Sequence, residues 1–144
     1  THSGPPPEKL MRIFLDANIL FTAAHNPRGK ASLVIELGQA GLWQLVTSTY
    51  ALEEARRNLA LKFPDGLERL DTLSNGLRLA IDTAGAECPA GLPDKDCPIY
   101  RAAHACRADV LLTGDIRDFG FLMNDRHKAG GLLVQTVADF LNGL

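Results

Sequence analysis

The sequence is poor in cysteine: Cys88, Cys97 and Cys106 are 3 in 144 residues, an odd number without a C-x-x-C pair. That supports neither a disulfide framework nor a zinc knuckle, and a reducing cytoplasm is the expected compartment. An excess of one charge is also missing. With 15 Lys and Arg against 17 Asp and Glu, the formal net charge is −2. No global basic field draws the chain to nucleic acid or to an acidic membrane, so a polyanion would have to be gripped by a local patch. No apolar run approaches the roughly 18 residues of a membrane span. The charged and apolar regions of a signal peptide are absent from the start. Aromatic residues are few, at 6%, but a hydrophobic content of 46% is ample for a core and argues against intrinsic disorder. The length fits one compact domain of roughly 100–200 residues, here expected to be intracellular.

Residues 1–10, with Pro5-Pro6-Pro7 favouring polyproline II, are expected to be a tag remnant or flexible extension, and Met11 stands where a native start would lie. Residues 11–144 then read as a single domain. Ile13-Phe14-Leu15 is an apolar run of the kind covered on both faces, ending at Asp16. Helical patterns follow over Asn18–Ala24 and Ala31–Ala40, separated by a turn at His25–Gly29. Leu42–Thr47 reads as a strand, with Ser48 or Thr49 capping a helix over Tyr50–Lys62. A helix near Leu67–Leu77 and a segment Leu79-Ala80-Ile81 precede a Gly/Pro-rich loop from Thr83 to Lys95. Asp96–Cys106 is helical, Asp109–Thr113 is the most strand-like run, and Gly131–Val134 is a last strand before a helix over Val137–Leu141. Alternating strands and helices predict a mostly parallel sheet with helices on both faces. In such sheets ligands bind at the carboxyl ends of the strands, near the switch in strand order.

That is where the acids fall. Asp16 closes the first strand and Asp115 the fourth, with Asp118 three residues on. The ordinary reading of each is a helix N-cap. In the helix Tyr50–Lys62, Glu53 has Arg57 at i+4, whereas Glu54 has Asn58 there and no cation of its own helix. A carboxylate facing inward then needs a metal, or a lysine or arginine from elsewhere. Asp96 stands just ahead of Cys97-Pro98 at a helix mouth, again a capping position, while Asp94 reads as loop surface. Brought together, such carboxylates repel by a few kcal/mol per close pair at an effective dielectric of about 20, so they coexist ionised only around cations. All-oxygen ligation suits Mg²⁺ or Mn²⁺. Such ions activate water and stabilise phosphate charge, which points to phosphodiester hydrolysis.

Phe14-Leu15-Asp16-Ala17-Asn18, Thr47-Ser48-Thr49-Tyr50 with Glu53-Glu54-Ala55, Asp94-Lys95-Asp96-Cys97-Pro98-Ile99 and Leu111-Leu112-Thr113-Gly114-Asp115-Ile116-Arg117-Asp118 together resemble a PIN domain. The resemblance spans essentially residues 12–142 and is nearest the VapC-type toxins of bacterial and archaeal toxin–antitoxin pairs. It implies a three-layer α/β/α fold around a parallel sheet of about five strands. It also implies a metal-dependent endoribonuclease acting in the cytoplasm. The family's acids fall on Asp16, Glu54, Asp96 and Asp115 as catalytic and metal-holding residues, with Asp118 as an accessory ligand. Asn18, Ser48 and Thr113 match accessory polar positions. Cys97 departs from the family, where another acidic or polar residue often follows the third Asp. RNA as substrate, an antitoxin protein as partner and a homodimer are implied by the family alone.

Arg28, Lys30, Arg56, Arg57, Arg117, Arg126, His127 and Lys128 are candidates to rim the carboxyl edge, and Arg117, between Asp115 and Asp118, is the expected phosphate contact. The histidines lack ligand spacing. Cys97 and Cys106, about 180° apart around a helix, cannot share a metal. Two other functions compete: a PIN scaffold that binds RNA or a protein without cutting, and a phosphatase of the haloacid dehalogenase type. The latter wants a second Asp where Asn18 stands.

Overall fold

A computed structural model of the chain describes residues 10–80 and 87–144. The expectations for residues 1–9, for Ile81 and for the first part of the Gly/Pro-rich loop therefore lie outside the described residues. Five strands form one parallel sheet: β1 (Arg12–Leu15), β2 (Gln44–Ser48), β3 (Arg78–Ala80), β4 (Val110–Leu112) and β5 (Leu133–Gln135), in the order β3-β2-β1-β4-β5. The helices are α1 (Ala17–His25), α2 (Lys30–Gln39), α3 (Thr49–Lys62), α4 (Leu67–Ser74), α5 (Cys97–Ala105), α6 (Ile116–Phe119) and α7 (Val137–Asn142).

β1 lies in the middle, its Ile13 registered against Leu45 of β2 and Val110 of β4. Ile13, Phe14 and Leu15 are successive yet fully buried, so both faces of β1 are covered, as the continuous apolar run required. β4 repeats this with Val110, Leu111 and Leu112. Leu20, Ala23, Val34, Ile35, Ala55, Leu59 and Leu70 on α1 to α4 complete one core. No helix among the described residues is long and apolar enough to cross a membrane.

Most element ends move by a residue or two from the expected positions. Leu42 is exposed and β2 starts at Gln44, because Gly41 in a left-handed conformation (φ 98°) closes the turn first. The last strand runs Leu133–Gln135 and not Gly131–Val134, since Gly130 and Gly131 also adopt positive φ and belong to the turn. α4 stops at Ser74, short of the expected Leu77. The cysteine expectation needs correction. Cys88 and Cys97 form a disulfide, leaving Cys106 free. An odd count excludes full pairing but says nothing of which thiols meet, and here the loop folds back onto the start of α5.

A candidate metal centre at the carboxyl edge

In the order β3-β2-β1-β4-β5 successive strands are added to one side of β1 up to β3 and to the other from β4 on, so the crevice opens beyond the carboxyl ends of the parallel β1 and β4. Asp16 follows β1 directly. It is buried, and it caps α1: Oδ1 accepts the Ala17 amide at 2.7 Å. Oδ2 accepts the Thr113 hydroxyl at 2.8 Å and Asn18 Nδ2 at 3.1 Å. Thr113 Oγ1 in turn accepts the Asp115 amide at 3.1 Å, and Asn18 Oδ1 accepts the Gly114 amide at 2.6 Å. These bonds lash the turn after β4 to the turn after β1. Burial raises the Asp16 pKa to about 6; the hydrogen bonds from Thr113, Ala17 and Asn18 oppose that rise, and the charge of Glu54 adds to it.

Asp115 caps the short helix α6, its Oδ1 accepting the Asp118 amide at 3.0 Å. For Asp16 and Asp115 the capping reading is thus correct; Asp115 uses one oxygen for it, whereas both oxygens of Asp16 accept hydrogen bonds. Asp96 differs. It ends the 3-10 turn Asp94–Asp96 ahead of α5, yet its side chain caps nothing. Its Oδ2 is buried without a hydrogen-bond partner. Carboxylate oxygens of Asp96, Asp115 and Asp118 all lie within 4.8 Å of one another. Burial, a hydrogen bond with Asp118 and the charges of Asp115 and Asp118 push the Asp96 pKa up to about 7. Some desolvation works against the Asp118 carboxyl, but hydrogen bonds with Lys95, Asp96 and Asp115 hold it below the usual range.

Glu54 is half-buried while Glu53 is exposed. Ser48 is fully buried and caps α3, its Oγ accepting the Ala51 amide at 3.1 Å. Arg117 is exposed. None of Asp16, Glu54, Asp96 and Asp115 has a Lys or Arg within ion-pair distance among the described residues.

Two contributors were not visible in the sequence. Lys95 Nζ lies 3.2 Å from Asp118 Oδ2, a cation set into the rim of the acid cluster. Tyr50, in the first turn of α3, donates its hydroxyl to the Lys95 carbonyl at 2.7 Å and so ties the Asp94–Asp96 turn to β2 and α3. Its pKa is raised by burial and by the charges of Glu54 and Asp96, with a smaller contribution from Asp16. The donor set suits a hard divalent cation: oxygen only, one buried oxygen without a partner, and an Asp96 carboxyl pushed toward protonation by burial and by the charges of its neighbours.

No protein-family model matches the chain, and no curated protein matches it. Among solved structures, a chain of VapBC2 from Rickettsia felis, crystallised bound to a DNA fragment from their promoter, is similar. The match covers 88% of this chain and 98% of that one, with a TM-score of 0.63 and 17% sequence identity. The fold is PIN-like. At 17% identity the likeness is one of architecture alone. On this PIN-like fold Asp16, Asp96 and Asp115 stand at a strand end or helix mouth, and Glu54 lies in the second turn of α3.

Proposed function

We propose that this chain is a metal-dependent endoribonuclease that hydrolyses RNA phosphodiester bonds in the cytoplasm, the toxin of a toxin–antitoxin pair. The observation that carries the reading is Asp96: a buried carboxylate oxygen with no partner, beside Asp115 and Asp118. An unpaired buried oxygen among like charges is costly unless a cation joins it. Asp96, Asp115 and Asp118 would hold Mg²⁺ or Mn²⁺ together with Asp16 and Glu54, which stand outside that three-carboxylate group among the described residues. Such an ion supplies Lewis-acid charge to a phosphate oxygen and to water.

The chain's own residues do the positioning. Thr113, Asn18 and the Ala17 amide fix Asp16 in one orientation, so its charge faces the crevice without reorganising. Tyr50 fixes the turn that presents Asp96. Lys95 offsets part of the charge on Asp118, and Arg117 on the exposed side of α6 is the candidate contact for a phosphate. Likeness to a chain of VapBC2 supports a cognate antitoxin as the partner that restrains the enzyme. A homodimer remains part of the proposal.

The test is cleavage of single-stranded RNA with Mg²⁺, with Mn²⁺ and with chelator. We expect the chelator to abolish cutting and Asp96→Asn to reduce it by about a hundredfold or more. Asp96→Asn is also expected to bind Mn²⁺ more weakly by calorimetry while unfolding, metal-free, at no lower a temperature than wild type. Metal-independent cutting, or full activity in Asp96→Asn, would overturn the assignment. Normal Mn²⁺ and RNA binding without turnover would replace it with a non-cutting scaffold.

A further inference from the structure

α1 is an apolar helix with one polar stripe. Ala17, Ile19, Leu20, Ala23 and Ala24 are buried, while Asn18, Thr22 and Asn26 recur at i, i+4 and i+8 and so share one face. Core packing explains the first set but not the second. The stripe lies along a groove of about 630 Å³ that starts at Gly114 and Asp115 of the acid site and ends at Lys30, the first residue of α2. At a rise of 1.5 Å per residue the eight positions from Asn18 to Asn26 cover about 12 Å, longer than the acid site itself.

The stripe divides in two. Asn18 is committed to Asp16, Thr113 and Gly114. Thr22, Asn26 and Lys30 are exposed, and among the described residues their side chains make no hydrogen bond, while the Asn26 carbonyl accepts from Ser32 Oγ. Gly29 keeps the far end open: a Cβ there would lie 2.7 Å from Asn26 Nδ2. The floor is apolar, with Ile19, Ala31 and Val137. The groove therefore runs from an acidic end to a basic one along a row of neutral donors and acceptors. A single strand of RNA matches that order, since it presents sugar hydroxyls between phosphates and an apolar base face beneath.

We propose that this groove seats the RNA strand to one side of the bond that is cut, with Thr22 and Asn26 hydrogen-bonding sugar or base edges and Lys30 pairing with a phosphate. This rests on the ribonuclease reading of the acid site and adds to it a second, non-catalytic binding segment on α1 and α2. Lys30 and Thr22 are far enough from the acids that their loss weakens strand binding and leaves the metal site intact.

The test compares wild type, Lys30→Gln and Thr22→Val on a single-stranded oligoribonucleotide, with Mn²⁺ affinity measured separately by calorimetry. Each variant is expected to raise KM by roughly tenfold, with kcat and Mn²⁺ affinity held. Lys30→Gln should also flatten the dependence of log affinity on log salt by about 0.7, the loss of one phosphate contact on a single strand; a merely structural residue would not move that slope. Unchanged KM overturns the proposal, and so does a KM rise accompanied by weaker Mn²⁺ binding. Unaltered RNA kinetics with lost binding of an antitoxin protein would also overturn it and assign the groove to that partner. If wild type binds Mn²⁺ but neither binds nor cuts RNA, the ribonuclease reading itself has failed, and the groove proposal with it.

Discussion

Thr113 uses one hydroxyl three times: it donates to Asp16 Oδ2 and accepts from Asn18 Nδ2 and the Asp115 amide. The residue is fully buried, so no water replaces those bonds when they are lost. Thr113→Val keeps the shape and leaves an Asp16 oxygen and the Asp115 amide short of partners. The expected cost is about 1–3 kcal/mol in urea unfolding, and Thr113→Ser should restore most of it. At this scale the sequence was readable where chemistry is local. Asp16 and Asp115 announce themselves by ending apolar strands, and Glu54 by lacking the i+4 cation that Glu53 has. Tyr50 and Lys95 were not readable. Their roles arise from an encounter between residues 45 apart that no spacing rule records.

Helices and strands longer than a turn or two were legible because periodicity and caps agree: Ser48 caps α3 as one of the two expected residues, and β1, α1, α2 and α3 stand within a residue or two of their expected ends. The short pieces were not. α6 has four residues and owes its existence to the Asp115 cap, and the Asp94–Asp96 turn has no period to detect. The Cys88–Cys97 bond belongs to the same class, since it depends on how an aperiodic loop closes. It spans nine residues and ends at the first residue of α5, immediately after Asp96. Closing a loop of that size stabilises a domain by about 2.5 kcal/mol through the unfolded chain. Reduction by a dithiol, or Cys88→Ser, is therefore expected to lower the urea midpoint without changing helix content by circular dichroism.

For the molecule as a whole, the two raised carboxyls set the direction of its pH dependence. In the native state Asp16 and Asp96 titrate at about 6 and about 7, against 3.8 for an unperturbed Asp. Between about pH 4 and 7 the native state therefore holds protons that the unfolded chain has released, and stability falls as pH rises through that window. Asp118, held low, works the opposite way, but only at pH below its ordinary range. We expect the metal-free protein to melt at a lower temperature near pH 8 than near pH 5. Mn²⁺ should raise the melting temperature more at the higher pH, and Asp16→Asn with Asp96→Asn should flatten the metal-free profile. Differential scanning calorimetry across that range checks all of this.

The strand order has a consequence for how the protein is made. β1 is synthesised first but sits in the centre, and its partner β4 follows some way behind: Thr113, which secures Asp16, is 97 residues downstream. A ribosome that has delivered the chain only through α5 has produced Asp16, Glu54 and Asp96, but neither Asp115 and Asp118 nor the strand that seats them. Under the proposed ribonuclease reading, the acid site stays incomplete until translation has passed β4 and the nascent polypeptide has closed its sheet.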